Sequence, residues 1–471
     1  MLCSAVDRAR QTGGIKRRLS IAARFVRRSA FLVLASKQES LRILKLASLL
    51  FTLALAVACA TGIDPLQKSG GAIKQPLEKE DFQDISTSPP ALMQRSTAAN
   101  NLASTSRTDQ RNVVLIHLEA TRAQSVTPYN REIKTTPFLD ELAQNSLLAE
   151  HAYTIVPHTS KASVSVNCGI EPDLGQENVE AKPGSIPVPC LASLLKDQGY
   201  DTVFFQSSTK DFDNFAGLVK NFGYDEYYTL ESMSTDGFQK VNSLSYEDDI
   251  MLKPSEDWLT EHKEKAFVAE YRTGAGYDDY QCVPNRYGSD NFSKDKQLNS
   301  YLNCLRYQDF FVKNLIDQYK KLGLYDNTIF VIFGDHGEGF GEHGLYQHAD
   351  TIYEEGLKVP LIIHAAGWFS NGERVKALSN HTDIMPTVLE ILGYEVKDGG
   401  YSGYSLLHLL PGGRALQFSC FHENKCLASI KGSVKYIYHY GDKPEELFDL
   451  SKDPLEKHNL ANEGVKEETD S

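Results

Sequence analysis

The 471-residue chain carries a formal net charge of −13, and 41% of its residues are hydrophobic. This hydrophobic content is sufficient for a packed core, which excludes a chain that is disordered throughout. The acidity argues against a nucleic-acid-binding protein, because such proteins are basic on at least one face. The length predicts one large domain with an appendage. An acidic enzyme can still bind an anionic substrate if a metal reverses the charge locally.

The N-terminal 60 residues predict an export signal or a membrane anchor. Residues 1–45 hold eleven Arg and Lys residues against two acidic residues, and residues 46–60 form an apolar run. This run is shorter than the roughly 20 residues of a spanning helix. Residues 55–59 (LAVAC) resemble a bacterial lipoprotein box, in which Cys59 would be lipidated, and an uncleaved signal anchor is the alternative. We therefore expect a membrane-anchored, extracytoplasmic protein, located in the periplasm or cell envelope if bacterial.

The cysteines support export. Six of them follow residue 60, and an even number in an exported domain predicts disulfides. We expect sequence neighbours to pair, because each such pair closes a short loop, and buried free thiols are the alternative. The predicted pairs are Cys168–Cys190, Cys282–Cys304 and Cys420–Cys426.

Residues 61–110 are rich in Ser, Thr, Gln, Pro and Ala, and they predict a flexible linker. Apolar runs at 113–118, 202–205, 265–270 and 327–333 predict buried strands. Segments 136–142, 191–199 and 298–323 predict helices. This alternation predicts an α/β fold with a doubly wound, mostly parallel sheet in a domain over residues 111–400. A hairpin at 426–438 predicts a small C-terminal antiparallel β appendage over residues 401–471, ending in a polar tail.

Polar residues follow two of the predicted strands directly. Glu119 comes after the strand at 113–118, and Asp335 and His336 come after the strand at 327–333. Ligands bind beyond the carboxyl ends of parallel strands, so these side chains predict half of a divalent-metal site. The alternative for Glu119 is a solvated loop residue or a helix cap. The stretch 334–348 (GDHGEGFGEHGLYQH) favours the metal site, because it is dense in glycine and in metal-binding residue types.

Several motifs in order resemble the sulfatase family in its broad sense, within the alkaline phosphatase superfamily. Segments 112–119 (NVVLIHLE) and 334–338 (GDHGE) resemble its metal-binding blocks. Segments 353–355 (YEE), 359–363 (VPLII), 381–387 (HTDIMPT) and 446–454 (ELFDLSKDP) resemble later blocks. The family includes the phosphoethanolamine and phosphoglycerol transferases, a branch that is similar to lipoteichoic acid synthase. The resemblance implies an enzyme that acts on phosphate or sulfate esters.

The nucleophile region resembles the transferase branch. The Cys/Ser-x-Pro-x-Arg motif of formylglycine sulfatases does not occur, and the corresponding segment reads VPHTSKA over residues 156–162. Thr159 resembles the threonine nucleophile of the transferases. A hydroxyl needs a metal to lower its pKa before it attacks, and the alternative for Thr159 is a turn-capping hydroxyl.

The resemblance implies one divalent cation bound by Glu119, Thr159, Asp335 and His336. These mixed ligands suit zinc or manganese better than calcium or magnesium. His348 aligns with a Lys or His that contacts the transferred group in relatives, and Lys161 is a second cationic candidate. One departure is the stretch 271–280 (YRTGAGYDDY), where relatives carry a substrate-binding histidine and this chain has none.

The sequence therefore predicts a metal-dependent hydrolase or transferase that acts on phosphate esters through Thr159. The expected partners are a phosphate- or sulfate-ester substrate, such as a lipid or glycan, and a membrane at the N-terminal segment, with no nucleic acid. The alternatives are a sulfuric ester hydrolase, which would use an unmodified threonine, and a catalytically silent, membrane-tethered binding protein.

Overall fold

The computed structural model describes residues 102–281, 287–397, 400–421, 426–440 and 443–461. All of these residues belong to one compact unit, residues 90–471. The predicted basic segment, the apolar run with Cys59 and nearly all of the predicted linker lie outside the described residues. No helix in the described ranges is long and apolar enough to cross a membrane.

The described strands and helices alternate over most of the chain. The strands are β1 (Leu102–Ser104), β2 (Asn112–Leu118), β3 (Leu147–Ala149), β4 (Ala152–Tyr153), β5 (Asp201–Gln206), β6 (Glu226–Tyr228), β7 (Phe267–Arg272), β8 (Thr328–Gly334), β9 (Gly339–Phe340), β10 (Tyr346–Gln347), β11 (Lys358–Val359), β12 (Leu361–Ala365), β13 (Glu373–Val375), β14 (Ser379–Asn380), β15 (Tyr394–Val396), β16 (Ala415–Ser419), β17 (Leu427–Lys431), β18 (Val434–Tyr438) and β19 (Glu446–Asp449). The α-helices are α1 (Pro137–Leu142), α2 (Thr159–Cys168), α3 (Leu191–Lys196), α4 (Phe215–Phe222), α5 (Leu252–His262), α6 (Lys296–Lys321), α7 (Glu354–Leu357) and α8 (Ile384–Ile391).

A large sheet organises the fold, with the strand order β13-β3-β12-β8-β2-β7-β5-β6. The run β8-β2-β7-β5-β6 is parallel throughout, whereas β12 is antiparallel to both of its neighbours. The prediction of a mostly parallel sheet is confirmed. Because β8, β2 and β7 are adjacent and parallel, their carboxyl ends lie side by side.

The central strands are buried on both faces, which explains their continuous apolar sequences. In β2, Val113 and Leu115 contribute to one hydrophobic core, and Val114 and Ile116 contribute to the other. Residues of α2, α3, α4 and α8 cover the first face, and residues of α1, α5 and α6 cover the second. Helices therefore pack on both faces, as the sequence predicted.

The C-terminal strands form a four-stranded antiparallel sheet in the order β16-β17-β18-β19. The predicted hairpin is confirmed, because β17 pairs with β18 across a tight turn at Gly432 and Ser433. This sheet shares a hydrophobic cluster with Tyr153, Ile352 and Leu357, which lie on segments of the main domain. The C-terminal sheet thus packs against β4 and against the chain that follows β8. The predicted boundary at residue 400 stays a prediction.

Two of the three predicted disulfides are present, Cys168–Cys190 and Cys420–Cys426. The first joins α2 to the residue before α3, and the second closes the loop between β16 and β17. The third predicted pair includes Cys282, which lies outside the described residues.

The turn after β7 packs directly on the end of β2, and a substitution in this turn can test how close the two segments are. A Cβ atom on Gly276 would lie 2.0 Å from the carbonyl oxygen of Glu119. We expect Gly276→Ala to lower the free energy of unfolding by about 1–3 kcal/mol through overpacking. Gly412→Ala is the matched control, because a Cβ there meets no atom within 4 Å. Chemical denaturation measures both variants, and equal stability of the two would contradict the expectation.

Candidate active site

The carboxyl ends of three adjacent strands carry the polar residues of the site. Glu119 follows β2, Asp335 and His336 follow β8, and Arg272 is the last residue of β7. The chain turns sharply after His336 at Gly337, where a Cβ atom would lie 1.9 Å from the carbonyl oxygen of Glu355. A glycine is therefore required at this turn, and it lets two consecutive side chains reach the same space.

Thr159 enters this space from the opposite side, as the first residue of α2. Its hydroxyl donates a hydrogen bond to Glu119 Oε1 at 3.2 Å and lies 3.3 Å from His336 Nε2. His336 Nε2 is in turn 3.5 Å from Glu119 Oε1 and 3.4 Å from Asp335 Oδ2. The four side chains that the sequence nominated as metal ligands thus lie together, at the positive end of a helix dipole.

The ring of His336 is held in one orientation by the backbone. Its Nδ1 donates to the carbonyl oxygen of Gly337 at 2.8 Å. The Nε2 atom therefore faces Thr159 and Glu119, as a metal-binding imidazole requires. Burial opposes a proton on this ring, but Asp335 and Glu119 raise the pKa of His336 to about 9.

Asp335 is fixed through one of its two oxygens. Oδ1 accepts backbone hydrogen bonds from Ala120 at 2.9 Å and from His336 at 2.8 Å. Oδ2 has no well-aligned hydrogen bond from the described residues, although His117 Nε2 lies 3.0 Å away. Burial alone would raise the pKa of Asp335, but His336 and His117 hold that pKa well below its ordinary value.

His117 is a member of the cluster that sequence reasoning missed. It is fully buried in β2, between Asp335 and Glu270 of β7, with Nδ1 3.7 Å from Glu270 Oε1. Burial opposes its charging, but Asp335 and Glu270 raise its pKa. Ligand atoms of His117, Glu119 and Asp335 lie within 4.8 Å of one another. The available signal was an imidazole inside an otherwise apolar strand.

Arg272 is a second member that was missed. Its Nη1 donates to Glu119 Oε2 at 3.1 Å, and its Nη2 bonds to Ser208 and lies 3.4 Å from Gln206 Oε1. The guanidinium lies over the ring of Phe215 at 4.3 Å. The side chain is only 2% exposed. The sequence feature that could have identified Arg272 is a charged residue at the end of a buried strand. The predicted strand ended at residue 270, so Arg272 lay outside it.

The two candidate cationic residues differ in their surroundings. The ring of His348 stacks on His336 with centroids 4.0 Å apart, and its Nδ1 lies 3.4 Å from Glu338 Oε2. Lys161 is fully buried, and its ammonium group donates to Glu177 O at 3.0 Å and to Glu180 Oε2 at 3.1 Å. The structure thus brings His348 into contact with a proposed ligand and pairs Lys161 with a carboxylate elsewhere.

A second group of His and Glu side chains lies beside the loop after His336. His343 Nδ1 lies 2.6 Å from Glu355 Oε1, and Glu456 Oε1 lies 2.7 Å from the ammonium group of Lys435 on β18. Glu456 also accepts a hydrogen bond from the backbone of Glu354 at 2.6 Å. Through the ion pair of Lys435 and Glu456, this network joins the C-terminal sheet to the main domain.

The residues of the first cluster fit a divalent cation. Thr159 Oγ1 lies 3.2 Å from Glu119 Oε1 and 3.3 Å from His336 Nε2. His336 Nε2 lies 3.5 Å from Glu119 Oε1 and 3.4 Å from Asp335 Oδ2. Two carboxylate oxygens, a hydroxyl and an imidazole form a mixed donor set, and Asp335 Oδ2 is buried without a well-aligned hydrogen bond. Buried charges in proteins are paired or coordinate metals, and this mixed donor set suits a divalent cation.

Two family models and several individual proteins match this chain. A model described as Sulfatase matches residues 111–394, and a model for the C-terminal region of N-sulphoglucosamine sulphohydrolase matches residues 341–470. Lipoteichoic acid synthase 2 of Bacillus subtilis is 24% identical over 322 residues, which cover 64% of this chain and 48% of that protein. Lipoteichoic acid synthase of Staphylococcus saprophyticus is 23% identical, with 63% and 48% covered. The chain thus spans about half the length of these relatives.

Solved structures show the same fold. A protein of the alkaline phosphatase superfamily from Vibrio parahaemolyticus matches with a TM-score of 0.63 at 20% identity, covering 77% of this chain and 85% of that one. A lipoteichoic acid synthase from Listeria monocytogenes matches with a TM-score of 0.61 at 18% identity, covering 78% and 92%. The chain therefore belongs to the sulfatase family, and lipoteichoic acid synthases are among the proteins to which it is similar.

Proposed function

We propose that this protein is a metal-dependent hydrolase or transferase of phosphate esters, with Thr159 as the nucleophile. The observation that carries the proposal is the position of the Thr159 hydroxyl, within hydrogen-bonding distance of both Glu119 and His336. A capping hydroxyl would bond to the backbone of its own helix, whereas this one is directed at a carboxylate and an imidazole.

The proposed ligands of one divalent cation are Glu119, Thr159, Asp335 and His336, and zinc or manganese suits them best. When bound, the cation lowers the pKa of the Thr159 hydroxyl and offsets the charge of the transferred group. Glu119 orients that hydroxyl through the 3.2 Å hydrogen bond, and Gly337 orients His336.

The proposed reaction proceeds in two displacements. Thr159 Oγ1 loses its proton and bonds to phosphorus, while the bond from phosphorus to the leaving oxygen breaks and that oxygen takes up a proton. A water molecule or an acceptor alcohol then bonds to phosphorus and gives up a proton, while the bond to Thr159 breaks and Thr159 Oγ1 takes up a proton. The first acceptor gives a hydrolase and the second gives a transferase.

Positive groups around Thr159 suit a transferred group that carries negative charge. His348 stacks on His336 at the edge of the cluster, and the first backbone N–H groups of α2 lie at Thr159. His348 is the proposed cationic contact to the substrate. Lys161 is not retained in this role, because its ammonium group bonds to Glu177 and Glu180.

Two alternatives remain as competing proposals. A sulfuric ester hydrolase is favoured by the match of residues 341–470 to a sulphohydrolase C-terminal region. It would require Thr159 to act without the formylglycine that sulfatases usually employ. A silent binding protein is disfavoured, because the buried side chains of the cluster are all present and close together.

The proposed substrate is a phosphate ester of a lipid or glycan outside the cytoplasm. The names of the two synthase relatives favour transfer of a phosphoester over hydrolysis of a sulfate ester. The basic and apolar N-terminal sequence and the disulfides support a membrane-tethered, extracytoplasmic location.

The reaction class can be tested with the purified protein on nitrophenyl phosphate, a nitrophenyl phosphodiester and nitrophenyl sulfate, with and without Zn²⁺ or Mn²⁺. We expect metal-dependent phosphoester turnover that falls at least about 10³-fold in Thr159→Ala, because the covalent route is lost.

Ser165→Ala is the matched control for this variant. Ser165 lies farther along α2, and its hydroxyl donates to the backbone carbonyl of Lys161 in the same helix at 3.4 Å. Turnover of the sulfate alone would favour the sulfatase alternative. Absence of turnover on all three esters, together with absence of bound metal, would favour the binding protein.

The pH dependence of metal binding tests the role of His336. Because its pKa is raised to about 9 in the metal-free protein, the Nε2 proton must leave before a cation binds. Affinity for Mn²⁺ should therefore rise with pH, by up to about tenfold per unit, between pH 6.5 and 8.5. Calorimetry measures the affinity and the protons released. An equal slope in His336→Gln would contradict this assignment.

A further inference from the structure

We infer that Arg272 fixes Glu119 as a ligand that offers a single oxygen, and that it thereby sets which divalent cation the site prefers. The inference rests on the proposed cation site. Arg272 is not one of the proposed ligands, and the inference is that it determines the preference of the site for small transition metals over calcium.

The two oxygens of Glu119 are divided between different partners. Oε1 accepts the hydrogen bond of Thr159 at 3.2 Å and lies 3.5 Å from His336 Nε2. Oε2 accepts a hydrogen bond from Arg272 Nη1 at 3.1 Å. Only Oε1 is therefore directed at the other proposed ligands, and Oε2 is occupied by a guanidinium group.

Arg272 is itself held rigidly, so it cannot easily release Oε2. Its Nη2 bonds to Ser208, and its guanidinium plane lies over the rings of Phe215 at 4.3 Å and Phe212 at 5.2 Å. Its backbone pairs with His117 in the register of β7 on β2. A planar, delocalised cation that stacks on rings is poorly replaced by a lysine at such a position.

Asp335 also has one oxygen held by the protein, while its Oδ2 lies 3.0 Å from His117 Nε2 and 3.4 Å from His336 Nε2. Its Oδ1 accepts two backbone hydrogen bonds, from Ala120 and from His336. Each carboxylate therefore presents one oxygen, and the four proposed ligands together present three oxygens and one nitrogen. Calcium takes six to eight oxygens and often binds carboxylates through both of theirs. Zinc accepts four donors that include imidazole nitrogen. The arrangement favours the smaller ions.

Arg272 is the part of this arrangement that mutation can remove, because the partners of Asp335 Oδ1 are backbone groups. Without Arg272, Oε2 becomes available and the site becomes more negative. Both changes favour calcium. For zinc or manganese, the gain in charge is offset by the loss of orientation of Glu119. The ratio of the affinity for zinc or manganese to the affinity for calcium therefore reports on the proposed role of Arg272.

The test uses the full protein, stripped of metal, and measures affinity for Mn²⁺, Zn²⁺ and Ca²⁺ by calorimetry with competing chelators. We expect the wild type to prefer Mn²⁺ and Zn²⁺ to Ca²⁺. Arg272→Met should reduce this preference by roughly 10- to 100-fold, the range typical of residues that support metal ligands. Arg272→Lys should fall between the two, because lysine retains the charge but lacks the planar fork.

Arg414→Met is the matched control. Arg414 bonds a buried carboxylate in a similar way, with Nη1 and Nη2 at 2.7 Å and 2.9 Å from Asp383, and neither residue contacts Glu119. The Arg414→Met protein should have the same preference among the three cations as the wild type. Circular dichroism of each variant reports whether it is folded.

A second measurement does not depend on any variant. In crystals of the wild type loaded with Mn²⁺, anomalous scattering locates the ion, and Glu119 Oε2 should remain bonded to Arg272. Coordination of the ion by both oxygens of Glu119, or an unchanged preference in a folded Arg272→Met protein, would overturn the inference alone. A wild type that binds none of the three cations would instead contradict the proposed function.

Discussion

Two buried carboxylates at the ends of adjacent strands, Glu119 and Asp335, are the constraint on which the architecture of the site depends. Both are almost completely excluded from solvent, and a buried charge is costly unless partners compensate it. Arg272 compensates the first, while His117 and His336 compensate the second. The parallel pairing of β8, β2 and β7 brings these partners together, because the three strands end at the same edge. Adjacent strands therefore supply both the buried carboxylates and the side chains that balance their charge.

The sheet could be predicted from the chain because its central strands are buried on both faces and contain almost only apolar residues. The predicted ends of the strands were less accurate, and an error at the end of β7 left Arg272 out of the predicted site. The predicted strand at 265–270 is β7, Phe267–Arg272. The prediction included Glu270 and stopped before Tyr271 and Arg272. Here Glu119 and the phenyl rings allow the arginine to remain inside.

The candidate site was predictable where chemistry coincided with a strand end, as at Glu119, Asp335 and His336. Thr159 and His348 depended on family resemblance, since no local pattern distinguishes them. His117 was missed because it counted as part of an apolar run. Lys161 was nominated for its nearness in sequence to Thr159. Residues two apart on a helix point in different directions, and Lys161 instead pairs with Glu180.

The ion-pair network around Glu456 has a consequence for how the protein matures. The loop that carries His336 is held by Glu355 through a 2.9 Å backbone hydrogen bond to Glu338, and neighbouring Glu354 is bonded to Glu456 and Lys435. These last two residues are synthesised long after the motif that they support. A nascent chain would therefore expose a complete GDHGE motif before the loop has its final support. The final position of the loop that carries His336 therefore depends on residues that lie much later in the chain.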